Sequence, residues 1–430
     1  MKRAVIIFVV LTIIFVFIMK DKLYSKDKPG QIQIQQQTQI ISEVKQNEKE
    51  PDAGLWSQMR YKPLNFSIQK AMWFTYMDYS EILSGKTEDE FTQAVKDRFQ
   101  TVSLMGINTV YIQVRAFCDA YYKSSLFPQG SYYTDEGYDP LAIMVSQAHA
   151  CGLSVHAWIN PLRCVTDDRI AGISSDYLFR KWYEDVELCG KYIVKKDDRW
   201  YLNPAYDDVI GYVCSGVREI LNGYNVDGIH IDDYFYPDTA PEFDSRAFAE
   251  SGISDLGEFR RGRTDKLVRE IYQTVKSQNP EILFGISPQG NIGINFNSQY
   301  ADVRRWLSEE GYCDYIVPQL YYGYENETCP FGQTMDEWAS LQRCDNVRLI
   351  IGVCTYKIGA EDKWAGSGKN EWIDKPDMTI SQITDCVSRN NVDGVAIYSY
   401  SSTFVTGESA AVMADGGVQS IREILSDYNK

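Results

Sequence analysis

Histidine is scarce in this chain, with three among 430 residues. No His-x-His follows the first predicted strand and no His-Glu-x-x-His lies on a predicted helix, so a histidine-built metal centre has little to be made from. No Gly-rich loop follows any early strand, which removes the usual mark of a dinucleotide- or nucleotide-binding fold. A Gly-x-Ser-x-Gly elbow is absent and no cysteine has an obvious His partner, so serine or cysteine nucleophile chemistry lacks its parts. Basic clusters are missing too. The formal net charge is −16, and wrapping a polyanion requires Lys and Arg to neutralise phosphates, so nucleic acid is not an expected partner. The ten cysteines show no Cys-x-x-Cys and no regular framework. Several lie in apolar runs, such as Cys354 in LIIGVCTY, and read mostly as buried free thiols, with one or two bridges left open. No cofactor is called for.

What is abundant is aromatic: 30 Tyr, 18 Phe and 9 Trp. Flat amphipathic rings suit the faces of sugars, although core and rim packing also consumes them. Residues 1–20 carry Lys2 and Arg3, then an apolar run from Ala4 to Met19. This predicts an export signal, either an uncleaved membrane anchor with the bulk of the chain outside or a cleaved signal peptide. Residues 21–65 shift to Lys, Gln, Glu and Ser, with QIQIQQQTQI at their centre, and predict a flexible polar linker. Residues 66–430 are left for the globular part.

There, eight short β-type runs alternate with helix-length segments: AMWFTY, INTVYIQVR, LSVHAWIN, VDGIHID, LFGIS, DYIVPQ, LIIGV and VDGVAIYSY. Strand–helix alternation demands parallel pairing through right-handed crossovers, and eight units over this length predict an α/β fold, a (β/α)8 TIM barrel with elaborated loops. Polar residues gather at the C-terminal ends of the runs, the face on which such barrels carry their chemistry.

The sharpest local signal is DGIHIDDYFYP, Asp227 to Pro237. Strand alternation sends His230 and Asp232 into the barrel and Ile229 and Ile231 out to the helices. Burying an uncompensated carboxylate costs several kcal/mol, so Asp232 and the adjacent Asp233 are the catalytic candidates, against a purely structural salt-bridge network. Asp233 points the other way unless the strand ends or bulges before it. Trp73, Arg115, His156, Trp158, Asn160, His230, Gln319, Tyr321, Tyr356 and Tyr398 are the expected substrate contacts, a mixture of rings, amides and charges suited to sugar hydroxyls. Glu325 and Glu361 are further proton-donor candidates. Trp364 and Trp372 are expected to touch outer sugars of a groove.

Taken in order, AMWFTY, IQVRAFCDAYYKSSLFP, HAWINPLR, WYLNPA, VDGIHIDDYFYP, ISPQGN, DYIVPQLYY and VDGVAIYSYSS resemble the glycosyl-hydrolase-like 10 group of bacterial envelope proteins, from about Lys70 to Tyr400. The resemblance implies a TIM-barrel glycosidase outside the cytoplasm. Its implied substrate is a cell-envelope amino-sugar polymer, the glycan strands of peptidoglycan from which stem peptides have been removed. Two other readings stay open: a non-catalytic glycan-binding barrel, and a metal-dependent deacetylase or amidase using the His and Asp residues of the mouth.

Overall fold

The structure is a computed structural model that describes residues 61–133 and 137–428. The expected membrane segment and most of the linker lie outside the described residues. Among the described residues no helix is long and apolar enough to cross a membrane.

Eight parallel strands form the frame: β1 (Gln69–Phe74), β2 (Thr109–Arg115), β3 (Ser154–Ile159), β4 (Gly228–Ile231), β5 (Leu283–Ile286), β6 (Tyr315–Ile316), β7 (Arg348–Leu349 continuing as Ile351–Cys354) and β8 (Gly394–Tyr398). Each pairs with its sequence neighbour, and β1 pairs with β8. The first part of β7 pairs with β6 and its second part with β8, so one strand broken at Ile350 closes the ring. Every β-type run predicted from the sequence is a strand of this barrel. Helices on the outside bury the outward residues. The helix Glu88–Leu104 begins in a capping box, with Thr87 Oγ1 accepting from the Glu90 N–H and the Glu90 carboxylate accepting from the Thr87 N–H.

A repeated device ties the strand starts together. The residue just before each even-numbered strand accepts the first free N–H of the preceding strand. Asn108 Oδ1 takes Lys70 N–H, Asp227 Oδ2 takes Val155 N–H, Asp314 Oδ2 takes Phe284 N–H and Asp393 Oδ2 takes Leu349 N–H, at 2.6–2.9 Å. This is the structural content of the recurring Val-Asp-Gly at 226–228 and 392–394. Asp227 also accepts from His149 Nε2 and from the Leu64 N–H, so His149 serves packing, and the chain already docks at Leu64.

The interior is filled by side chains in layers, as expected of a small barrel. Ala71, Trp73, Tyr111, Trp158, Tyr315, Val317, Ile350 and Ala396 pack together there, with His156 and His230 among them. Glycine makes room where a ring crosses: a Cβ at Gly285 would overlap the Tyr315 ring. All ten cysteines are free thiols, seven of them buried, and the Cys118 and Cys164 sulfurs touch at 2.8 Å.

One element has no counterpart in the sequence reading. After β3 the chain builds a three-stranded antiparallel sheet from Arg163–Thr166, Ile193–Lys196 and Arg199–Leu202. It stands at the C-terminal side of the barrel strands and contributes to the mouth.

Candidate active site

The C-terminal ends of the strands surround a cleft of about 670 Å³. Of the residues expected to touch substrate, Trp73, Trp158, Gln319, Tyr321, Tyr356 and Tyr398 line it, as do Asp232 and Asp233. Strand β4 stops at Ile231, so Asp233 is released from the alternation and joins Asp232 on the cleft side. Among the described residues no other acidic side chain lines the cleft.

Asp232 is buried and held on several sides. Its Oδ2 accepts from Asn160 Nδ2 at 2.5 Å and Trp158 Nε1 at 3.1 Å, and Oδ1 accepts from the Tyr234 N–H at 3.4 Å. Asn160 is itself oriented: its Oδ1 accepts from Gln113 Nε2 at 2.6 Å, and Gln113 Oε1 accepts from the Tyr76 N–H at 3.0 Å. Asp233 Oδ1 receives Gln319 Nε2 at 3.4 Å, and the same nitrogen donates to the Ser287 carbonyl at 3.1 Å. Burial, and then the neighbouring Asp233 charge, push the Asp232 carboxyl up to about 7, against the pull of its three donors. Burial raises Asp233 too, with Arg163 opposing. Both carboxyls are thus pushed toward the protonated form, the kind of environment in which acid–base pairs work.

Aromatic side chains wall the cleft. Tyr321, Tyr356 and Tyr398 stand with ring centroids 5.6–6.1 Å apart, and Trp73 meets Tyr398 edge to face at 5.9 Å. Tyr356 is 46% exposed and presents its ring to incoming ligand.

Four expected substrate contacts fall elsewhere. Asn160 reaches the cleft only through Asp232. His230 and His156 do face inward, but two and more residues before the strand ends they lie a layer down, about 7 Å per two residues. Trp73 covers His230, its Nε1–H donating to His230 Nε2 at 3.3 Å, while Tyr315 Oη bridges His230 Nδ1 and His156 Nδ1 at 3.1 and 2.5 Å. Burial pushes His156 down to about 3 and His230 well below the ordinary value, so both are neutral floor residues.

Arg115 is turned out of the barrel altogether. Pairing of β2 with β3 slips between Gln113, opposite Trp158, and Arg115, opposite Ile159. Gln113 stays inward in step with Tyr111, and the extra residue reverses the parity beyond it, turning Arg115 outward under the helix Asp207–Gly223, against Phe127. Gln113 is thus the site residue that alternation offered and the sequence reading passed over. Trp372 is fully buried and Trp364 is 89% exposed away from the cleft, while Glu325 and Glu361 pair with Lys375 and Lys369 outside it. Among the described residues no group of His, Cys, Asp and Glu is placed to hold a metal ion.

A profile of the glycosyl hydrolase-like 10 family matches residues 69–367, which span β1 to β7 and include Asp232, Asp233, Trp73 and Trp158 of the cleft. The chain belongs to that family. The glycosyl hydrolase YngK of Bacillus subtilis is 31% identical over 310 residues, covering 66% of this chain and 58% of that protein. The glycosyl hydrolase DigH of Escherichia coli K12 is 30% identical over 296 residues, or 63% of this chain and 67% of its own length. The chain therefore aligns with a little over half of the Bacillus relative. Among solved structures, the PgaB glycoside hydrolase domain of Bordetella bronchiseptica superposes with a TM-score of 0.56 at 12% identity, covering 83% of this chain and 99% of that domain. An Anoxybacillus α-amylase superposes at 0.51 with 10% identity, covering 85% of this chain and 79% of its own. These likenesses are of the barrel fold.

Proposed function

We propose that this glycosyl hydrolase-like 10 protein is a glycosidase that cleaves a cell-envelope amino-sugar polymer, the peptide-free glycan strands of peptidoglycan, by a two-carboxylate mechanism. The observation that carries the reading is the adjacent pair Asp232 and Asp233, the acidic residues of an aromatic-walled cleft, both pushed toward the protonated form. Asp232 Oδ2 accepts two N–H donors, which keeps that oxygen unprotonated and aimed. Asp232 therefore acts as the carboxylate, the nucleophile or base that meets the developing oxocarbenium charge. Asp233, whose one side-chain donor is Gln319 at 3.4 Å, carries the shared proton to the leaving oxygen. The rings of Tyr356, Tyr321 and Tyr398 supply the flat apolar contact a sugar face needs.

The basic-then-apolar N-terminus supports work outside the cytoplasm, with the protein tethered to the membrane or released into the wall. The test is release of new reducing ends from isolated peptide-free strands by the full-length protein and by Asp232→Asn. The substitution keeps volume and most hydrogen-bonding capacity and removes the charge, so the rate should fall by about 10³-fold or more, with strand binding nearly unchanged and a melting temperature no lower than that of the unsubstituted protein. Binding with no reducing ends from the unsubstituted protein would make this a glycan-binding barrel. Near-normal activity of Asp232→Asn would reject the assignment.

A further inference from the structure

Arg163 opens the small antiparallel sheet, and its side chain reaches into the cleft wall. Its guanidinium lies against two rings, 4.5 Å from the Tyr234 centroid and 4.9 Å from that of Phe117. Its Nε is buried and bonded to nothing, and among the described residues no carboxylate forms an ion pair with it. A second guanidinium, that of Arg199, rests on the same Phe117 ring at 4.5 Å but is committed to the Cys164 carbonyl through Nη1. The contrast with Arg260 is plain: that buried arginine is gripped at two points by Asp244. In a protein of net charge −16, an arginine in a cleft, stacked and preoriented, acted on by Asp233 only from beyond ion-pair distance, is a group free to grip a further anion. Its planar fork matches a carboxylate.

We infer that Arg163 binds a carboxylate borne by the substrate, the lactyl carboxylate that a muramic residue exposes once its stem peptide is gone, and so reads the peptide-free state of the strand. This rests on the glycosidase reading above. While the stem peptide is attached, that carboxyl is an amide with no charge and a bulky extension, and Arg163 would be desolvated by the bound strand without compensation. A free carboxylate supplies the missing partner. It also neutralises the one cation that draws Asp233 toward ionisation, leaving the proton where the leaving group needs it.

The experiment uses the full-length protein and two substrates: isolated peptide-free strands, and the same strands with their lactyl carboxyls converted to methylamides. The unsubstituted protein should favour the carboxylate strands in kcat/KM by roughly tenfold or more, the worth of one charge-assisted contact. In Arg163→Gln that ratio should collapse to about one, and Arg163→Lys, which keeps the charge without the fork, should fall between. Equal rates on both substrates for the unsubstituted protein, or a ratio preserved in Arg163→Gln, would overturn the inference while the glycosidase reading stands. Cleavage of neither substrate would reject the glycosidase reading itself, and the inference with it. Melting curves of both variants separate a loss of recognition from a loss of fold.

Discussion

Arg115 is a buried cation that forms no ion pair with a carboxylate among the described residues. Its Nη1 and Nη2 have no hydrogen-bond partner, and the ring of Phe127, 4.4 Å from its guanidinium carbon, is the favourable contact it makes. Holding an unpaired charge in such a place is costly, and apolar replacements of similar length at buried ionic positions are often neutral or stabilising. Arg115→Met should therefore melt no lower than the unsubstituted protein and keep its kcat on glycan strands, as measured by calorimetry and reducing-end assay. A large loss of activity with an intact fold would return Arg115 to the substrate-binding role that strand alternation alone assigns it. Gln113 carries the opposite lesson, since it looks like one more polar strand residue and is the link that sets Asn160 against Asp232.

Among the secondary-structure elements, the strand starts are where sequence and architecture meet most directly. Asn108 accepts from the Lys70 N–H and donates to the Ile68 carbonyl, joining β1 to β2 at the end of the barrel away from the cleft. Asn108→Ala leaves a partly buried N–H without its acceptor, a loss of about 1–3 kcal/mol. The expected result is a lower urea midpoint with kcat and KM unchanged, because nothing in the cleft leans on this contact. The barrel strands were legible because β-branched and aromatic runs alternate with helix-length segments at regular spacing. The three-stranded sheet at Arg163–Leu202 was not, because its strands are four residues each and mixed in polarity. Nor was the slip in β2, which depends on how two strands settle against each other rather than on either one.

For the molecule as a whole, the carboxyl pair makes a statement about stability and pH. A carboxyl whose pKa is raised by folding binds its proton more tightly in the native state than in the unfolded chain, so stability falls as pH rises between the two values. For the Asp232–Asp233 pair, which holds one proton between its two carboxyls, that window runs from about 4, the unfolded value, to about 7. Asp232→Asn breaks the pair and removes this contribution, and its melting temperature relative to the unsubstituted protein should rise from pH 4 to pH 8. A difference that stays flat with pH would show that the pair holds no proton in the native state.

By itself the chain of residues determined the barrel, its eight strands, its active face and the Asp232–Asp233 pair. Those follow from short-range physics: strand periodicity, segment length, and the cost of placing carboxylates where apolar neighbours point inward. It also determined that Trp73, Trp158, Gln319, Tyr321, Tyr356 and Tyr398 stand near strand ends, and they do line the cleft. Only the tertiary structure decided depth and direction. His156 and His230 became floor beneath Trp73, Arg115 left the barrel through a one-residue slip, and Arg163 was carried into the cleft by a sheet with no counterpart in the sequence reading. Inward is a property of a strand's own alternation, but how far inward, and what lies on top, is set by the neighbouring strands that share the space.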